Sequence, residues 1–187
     1  MKHIAIFASG AGTNAQAIID FFEDSKRGQV SALLSNRPQA YALERARKKN
    51  IDTLIFNRDT LYNSTDTILD FLEQKSTDLV VLAGFMMLVP QAIIDKYRGR
   101  IINIHPALLP AYGGKGMYGD HVHEAVVAAH ESFSGITIHY VNENYDSGDI
   151  IFQAKVALKA QESPESLAQK IHKLEHEYFP QIINQLL

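Results

Sequence analysis

Cysteine is absent from this chain of 187 residues, so it holds no disulfide framework, no thiolate nucleophile and no cysteine-ligated zinc. Long hydrophobic runs are also missing: no segment approaches the ~18 consecutive apolar residues of a membrane-spanning helix. The opening MKHIAIFASG turns to Gly and Ser well short of a signal peptide. These absences predict no membrane association and, with a composition suited to a reducing compartment, a cytoplasmic location. Positive charge is not in excess either. Eighteen Lys and Arg against 21 Asp and Glu leave a net charge of -3 and no basic tract, which gives a nucleic-acid partner no support. The eight histidines offer no H-x-x-x-H arrangement with a carboxylate that supports a metal site, and His121 and His123 sit at an expected loop-to-helix boundary. No metal is assigned. There is no internal repeat and no low-complexity tract.

What is present is an ordinary globular composition, 46% hydrophobic and 21% charged, which predicts a single domain over residues 1–187. Short apolar runs alternate with amphipathic ones. HIAIFAS, VSALLS, IDTLIF, DLVVLAG and RIINIH read as strands. TNAQAIIDFFEDS, QAYALERARKKN, STDTILDFLEQKS and PQAIIDKY read as the helices between them. The pattern predicts an α/β fold, a mostly parallel twisted sheet with helices on both faces and ligands at the carboxyl ends of the strands. HPALLPAYGGKGMYG then reads as an active-site loop and HVHEAVVAAH as a helix. GITIHYV and DIIFQAKVAL read as an antiparallel hairpin around NENYDSG. A C-terminal helix is expected with Ser163 as N-cap and Pro164 at its first position, Ser166 leaving the capping box incomplete. Pro180 is expected to kink or interrupt that helix.

Two stretches carry candidate chemistry. SGAGTNA, Ser9 to Ala15, places Gly10, Gly12 and Ala15 at the spacing G-x-G-x-x-A between a strand and a helix. It reads as a phosphate or phosphosugar cradle, as a dinucleotide loop, or as a structural turn with Asn14 as helix cap. A dinucleotide loop wants an acidic residue after the second strand, where this chain has Asn36 and Arg37. In IINIHPALLP, Asn103 and His105 lie two apart in a strand and so share a face, with Pro106 ending the pairing. Asn103 can donate to a developing oxyanion, and His105 can do the same or carry a proton. Asp146, in NENYDSGD, is the candidate third group; a carboxylate beside His105 would raise the imidazole's pKa and favour its protonated form. The plainer alternatives are a satisfied strand histidine and a common Asp-Ser-Gly turn.

FASGAGTN, DLVVLAGFMMLVP, NIHPALLP, GITIHYVNENYDSGDIIFQAKV and LEHEYFP stand in the order and at the spacing of the phosphoribosylglycinamide formyltransferases. The resemblance spans essentially the whole chain. It implies an α/β formyltransferase fold and transfer of a formyl group from 10-formyltetrahydrofolate to the amine of glycinamide ribonucleotide in purine synthesis, with no metal. By the same resemblance Asn103, His105 and Asp146 are catalytic. Gly12, Thr13, Asn14, His172, Lys173, Leu174 and Glu175 bind the ribonucleotide. Met86, Met87, Leu88, Val89, Asn103, Asn142, Glu143, Asn144, Tyr145 and Asp146 bind the folate. Met87 stands where the family often has arginine, which removes one expected polar contact, and AYGGKGMYGDHVHEA is longer and richer in glycine than the common version. His123 keeps a histidine before the helix; His139 reads either as a site residue or as a strand histidine with a local hydrogen bond. Two related activities fit less well. A formyltetrahydrofolate deformylase normally has an extra N-terminal domain, for which a strand starting at residue 2 is expected to leave no room. A methionyl-tRNA formyltransferase needs a further C-terminal domain and a basic surface. A noncatalytic Rossmann-type module would leave the Asn-His-Asp order unexplained. Monomer and homodimer both remain open.

Overall fold

The computed structural model describes residues 1–187. In chain order the elements are β1 (Lys2–Phe7), α1 (Thr13–Phe22), β2 (Gly28–Ser35), α2 (Tyr41–Lys48), β3 (Asp52–Ile55), α3 (Arg58–Asn63), α4 (Asp66–Gln74), β4 (Leu79–Leu82), α5 (Gln91–Lys96), β5 (Ile101–His105), α6 (Asp120–Ala128), β6 (Phe133–Tyr140), β7 (Ile150–Ala157) and α7 (Pro164–Leu186). The strands form one sheet in the order β3-β2-β1-β4-β5-β6-β7. The first five are parallel, and β6 and β7 run antiparallel to their neighbours. The sheet is therefore mixed and mostly parallel, with the hairpin expected near the C-terminal part.

Strand alternation divides the apolar residues between two cores. Ile4 and Ile6 of β1 face one side, together with Leu33, Val81 and Ile102, and are covered by α1, α2, α6 and α7. Ala5 and Phe7 face the other side with Leu34, Val80 and Leu82, under α3, α4 and α5. The chain leaves β1 toward β2 and β3, then returns to lay β4 on the opposite flank of β1. That reversal opens a crevice at the carboxyl ends of β1 and β4, where connections diverge and a ligand meets backbone rather than a covering helix.

Two local outcomes differ from the sequence reading. α3 was not anticipated: six residues are too few to show a helical period, and the helix is fixed by Asn57, whose Oδ1 accepts from the Thr60 N–H at 2.8 Å. α7 is not interrupted at Pro180 but runs as one helix of 23 residues. Its apolar stripe, Leu167, Ile171, Phe179, Ile182 and Ile183, is buried on both sides of the proline, and this packing outweighs the one backbone hydrogen bond that proline removes. The predicted start holds, since Ser163 Oγ accepts from the Ser166 N–H at 3.2 Å.

Candidate active site

Asn103 and His105 stand on β5, with Ile102 before them and Ile104 between them pointing into the first core. Both meet one carboxylate. The segment between β6 and β7 folds back so that Asp146 Oδ2 lies 3.5 Å from His105 Nδ1, while its Oδ1 lies 3.4 Å from Asn103 Nδ2. Asp146 has a left-handed backbone, φ 50°, a conformation costly for a side chain other than glycine and often found where a site requires it. Its Oδ2 also accepts the Gly114 N–H at 3.0 Å. His105, 3% exposed, donates from Nε2 to the Tyr112 carbonyl at 2.7 Å. A carbonyl can only accept, so the proton of the neutral ring sits on Nε2 and Nδ1 is left facing Asp146.

Burial lowers the His105 pKa, and this outweighs the opposing pull of the Asp146 carboxylate and the Tyr112 carbonyl. The expectation that Asp146 would leave the ring protonated is corrected on this point: its effect has the expected sign, but loss of solvent is larger. For Asp146 burial works against ionisation, yet the positive charge that the His139 and His105 rings can take up beside it, with the Gly114 amide, holds the carboxyl below its ordinary value. His139 enters through the strand register, which sets it opposite Asn103 on β6. Its Nδ1 lies 2.8 Å from the Tyr140 carbonyl, fixing that proton, so that Nε2 accepts from Asn103 Nδ2 at 3.1 Å. One amide proton of Asn103 is thereby held by His139. The other has only the long contact to Asp146.

The glycine loop lies at the far end of the same crevice. Gly12 precedes α1 with φ 71°, and a Cβ there would come within 2.5 Å of the Ala42 Cβ and 2.7 Å of its Cα. The position thus requires glycine both for its conformation and for the close approach of α1 to α2. Asn14 lies inside α1 rather than capping it; its Nδ2 donates to Glu175 Oε2 at 2.9 Å, and its Oδ1 is buried without a partner. Glu175, 5% exposed on α7, is pushed by burial to a pKa of about 7, with the Asn14 bond opposing. A neutral carboxyl group is therefore a main form of this residue near neutral pH. Ser9 occupies the place where the first two strands and the segment after β4 meet, donating to Asn36 Oδ1 at 2.6 Å and accepting from the Met86 N–H at 3.2 Å.

A cavity of about 520 Å³ joins these parts, within the range of small-molecule sites. It is lined by Asn103, His105 and Asp146, by Gly12, Thr13, Asn14, His172 and Glu175, and by Met86, Met87, Leu88, Val89, Asn142, Asn144 and Tyr145. Lys173, Leu174 and Glu143 are not in its wall. On α7 each residue turns about 100° from the last, so buried Glu175 and exposed His172 both reach the cavity, while Lys173 is turned away into solvent and Leu174 packs on the first core. Met87 packs against the second core, making its part of the wall apolar. His123 also lines the cavity, with Nδ1 buried and unpartnered. The Tyr112 carbonyl and the Gly114 amide were not foreseen, because backbone groups leave no residue-type signal. His172 and His176 stack at 6.2 Å between centroids, and no group of three or more His, Asp or Glu side chains is placed to hold a metal.

The formyl transferase family model matches residues 2–183. A curated phosphoribosylglycinamide formyltransferase of Bacillus subtilis is 38% identical over 191 aligned residues, covering 100% of this chain and 95% of that protein. The chloroplastic protein of the same name from Arabidopsis thaliana is 39% identical, but this chain spans only 64% of its length. Among solved structures, glycinamide ribonucleotide transformylase 1 from Geobacillus kaustophilus superimposes with a TM-score of 0.91 at 37% identity, covering 100% of this chain and 99% of that one. With a match of this extent in sequence and fold, the chain belongs to the phosphoribosylglycinamide formyltransferases of the formyl transferase family.

Proposed function

We propose that Asn103, His105 and Asp146 carry out in this chain the reaction of its family, moving a formyl group from 10-formyltetrahydrofolate to the amine of phosphoribosylglycinamide. The observation that carries the assignment is the convergence on one carboxylate: Asp146 lies 3.5 Å from His105 Nδ1 and 3.4 Å from Asn103 Nδ2, in the wall of the cavity that also holds the glycine loop. The ribonucleotide phosphate is assigned to the N-terminus of α1, where Gly12, Thr13 and Asn14 present free backbone N–H groups and the positive end of the helix dipole. Glu175 and His172 face the ribose beside it. The folate is assigned to the wall made by Met86 to Val89 and by the segment from Asn142 to Asp146. The folate donor supplies a formyl carbon that the amine attacks.

As the amine nitrogen bonds to that carbon, its oxygen gains negative charge and the nitrogen must lose a proton. The free N–H of Asn103 exchanges its weak contact with Asp146 for the charged oxygen, a stronger bond that forms only as the charge develops. His105 Nδ1 and the Asp146 carboxylate form one acceptor for the amine's proton. Once His105 is charged, the adjacent carboxylate stabilises it, and the proton can pass to the departing folate nitrogen. No other partner competes for Nδ1, because Nε2 is committed to the Tyr112 carbonyl.

The test follows folate product with each substrate omitted in turn, in wild type and in Asp146→Asn. Rapid consumption of the formylfolate is expected only with the ribonucleotide present, since binding an amine against the formyl carbon is worth roughly 7–11 kcal/mol of barrier that a loose water lacks. Asp146→Asn should depress transfer by about 10²-fold or more, the amide being unable to accept the proton. Fast consumption without acceptor would make the chain a hydrolase. An unaffected Asp146→Asn would remove Asp146 from the chemistry.

A further inference from the structure

We propose that the turn Tyr112–Gly113–Gly114 is a positioning element for the reaction, holding His105 in one tautomer and Asp146 in one orientation together. The proposal rests on the roles given to those two residues above. Its basis is that three consecutive residues of the glycine-rich segment each meet the pair in a different way. The Tyr112 carbonyl accepts from His105 Nε2 at 2.7 Å, which leaves Nδ1 as the only atom able to exchange a proton with substrate. The Gly114 N–H donates to Asp146 Oδ2 at 3.0 Å, the oxygen that faces His105. Between them Gly113 lies directly against the pair: a Cβ on it would stand 3.2 Å from the Asp146 Cβ and 2.5 Å from Leu109 Cδ2. The Leu109 contact is with the free end of a side chain, which can yield, so a Cβ at Gly113 would press chiefly on Asp146.

The turn is itself held in place. Tyr112 adopts φ 56°, a left-handed conformation disfavoured for a bulky residue and kept only when its surroundings determine it. Two contacts do so: its side chain packs on the first core, and its hydroxyl donates to Glu131 Oε1, just beyond α6, at 2.7 Å. The remaining titratable groups near the pair, His139 on β6 and His123 on α6, hold neither His105 nitrogen. His139 is bonded to Asn103 and Tyr140, and His123 Nδ1 is without a partner. The glycine-rich segment thus has a structural task. It supplies the backbone carbonyl that fixes the imidazole and the backbone amide that fixes the carboxylate.

The experiment is Gly113→Ala in the full chain, with kcat and KM for both substrates and nitrogen NMR of the His105 ring. A Cβ at Gly113 asks Asp146 to move by a few tenths of an ångström, less than the misplacement of about 1 Å that can cost ~10²-fold, so kcat should fall roughly 3- to 10-fold with each KM changed less than about twofold. The ring signals should leave the single Nε2–H form for a mixture. An unchanged kcat, or a fall in kcat with wild-type ring signals, overturns the proposal. If Gly113→Ala does not fold, Glu131→Ala and Glu131→Gln replace it. Loss of the anchoring bond in Glu131→Ala should lower kcat by about 3- to 10-fold and shift the ring signals. Glu131→Gln, whose amide oxygen still accepts the hydroxyl, should lose less. Equal kcat in both, with unshifted rings, overturns it. A fully active His105→Ala measured alongside would instead refute the catalytic reading underneath, and that result is recognisable because the tautomer in wild type is read without turnover.

Discussion

At the level of single residues, the proposed mechanism gives Asn103 and His105 different work from adjacent positions of one strand face. Asn103 is already oriented by His139, and in that mechanism its second N–H is kept for a charge that appears only during reaction. His105→Ala should fold and bind ribonucleotide but lose transfer by at least about 10²-fold, and Asn103→Ala by a comparable factor with little change in either KM. Steady-state kinetics on both variants checks this: a rise in KM alone for Asn103→Ala would make it a folate-binding residue. Both side chains were legible in the sequence, because a polar pair at spacing two in an isoleucine strand ending at Pro106 must share a face. The protonation of His105 was not legible. It depends on how much solvent the fold removes from the ring, and no neighbour in sequence records that.

At the level of elements, the loop between β1 and α1 shows why a motif can be right while the reason for its glycine is incomplete. Gly12 suits a phosphate cradle, but its missing Cβ is also what lets α1 approach Ala42 on α2. Gly12→Val forces a β-branched side chain into a left-handed conformation and against that helix, so it should destabilise the packing of α1 and α2 as well as the loop. Ribonucleotide and folate binding are then both expected to weaken, with a lower Tm, and calorimetry with each ligand together with a melting curve measures it. Loss of ribonucleotide binding alone at an unchanged Tm would show that the glycine serves only the phosphate. The strand and helix alternation was readable because periods of 2 and 3.6 persist over elements this long. α3, at six residues, lacked the length. The continuity of α7 through Pro180 was decided by burial on both sides of the proline, outside the reach of local propensity.

At the level of the whole molecule, folding carries charge-bearing groups from distant parts of the chain into one cavity, and stability depends on their ionisation. Glu175 has its pKa raised from an ordinary 4.5 to about 7. Below pH 4.5 folded and unfolded states both hold the proton; as pH rises from 4.5 toward 7 the unfolded chain releases it first, so stability falls, and the loss is complete above the folded value. Across that window the ligand-free protein should lose on the order of 3 kcal/mol from this group. Glu175→Gln keeps an acceptor for Asn14 and cannot ionise, so it should flatten the slope between pH 5 and 8 and be the more stable protein at pH 8 in denaturant titrations; identical slopes would mean that another group controls it. The sequence by itself determined the α/β alternation, the strand face shared by Asn103 and His105, the loop before α1 and the family resemblance, because each is written in local spacing or in residue order. The tertiary structure alone decided that Asp146, 41 residues beyond His105 in the chain, meets it, and that Tyr112 fixes its tautomer. It also decided that Glu175 shares a buried bond with Asn14 and that Lys173 and Glu143 stay out of the cavity. Those outcomes depend on strand register, on helix rotation and on the removal of water, which exist only once the sheet and its covering helices are assembled.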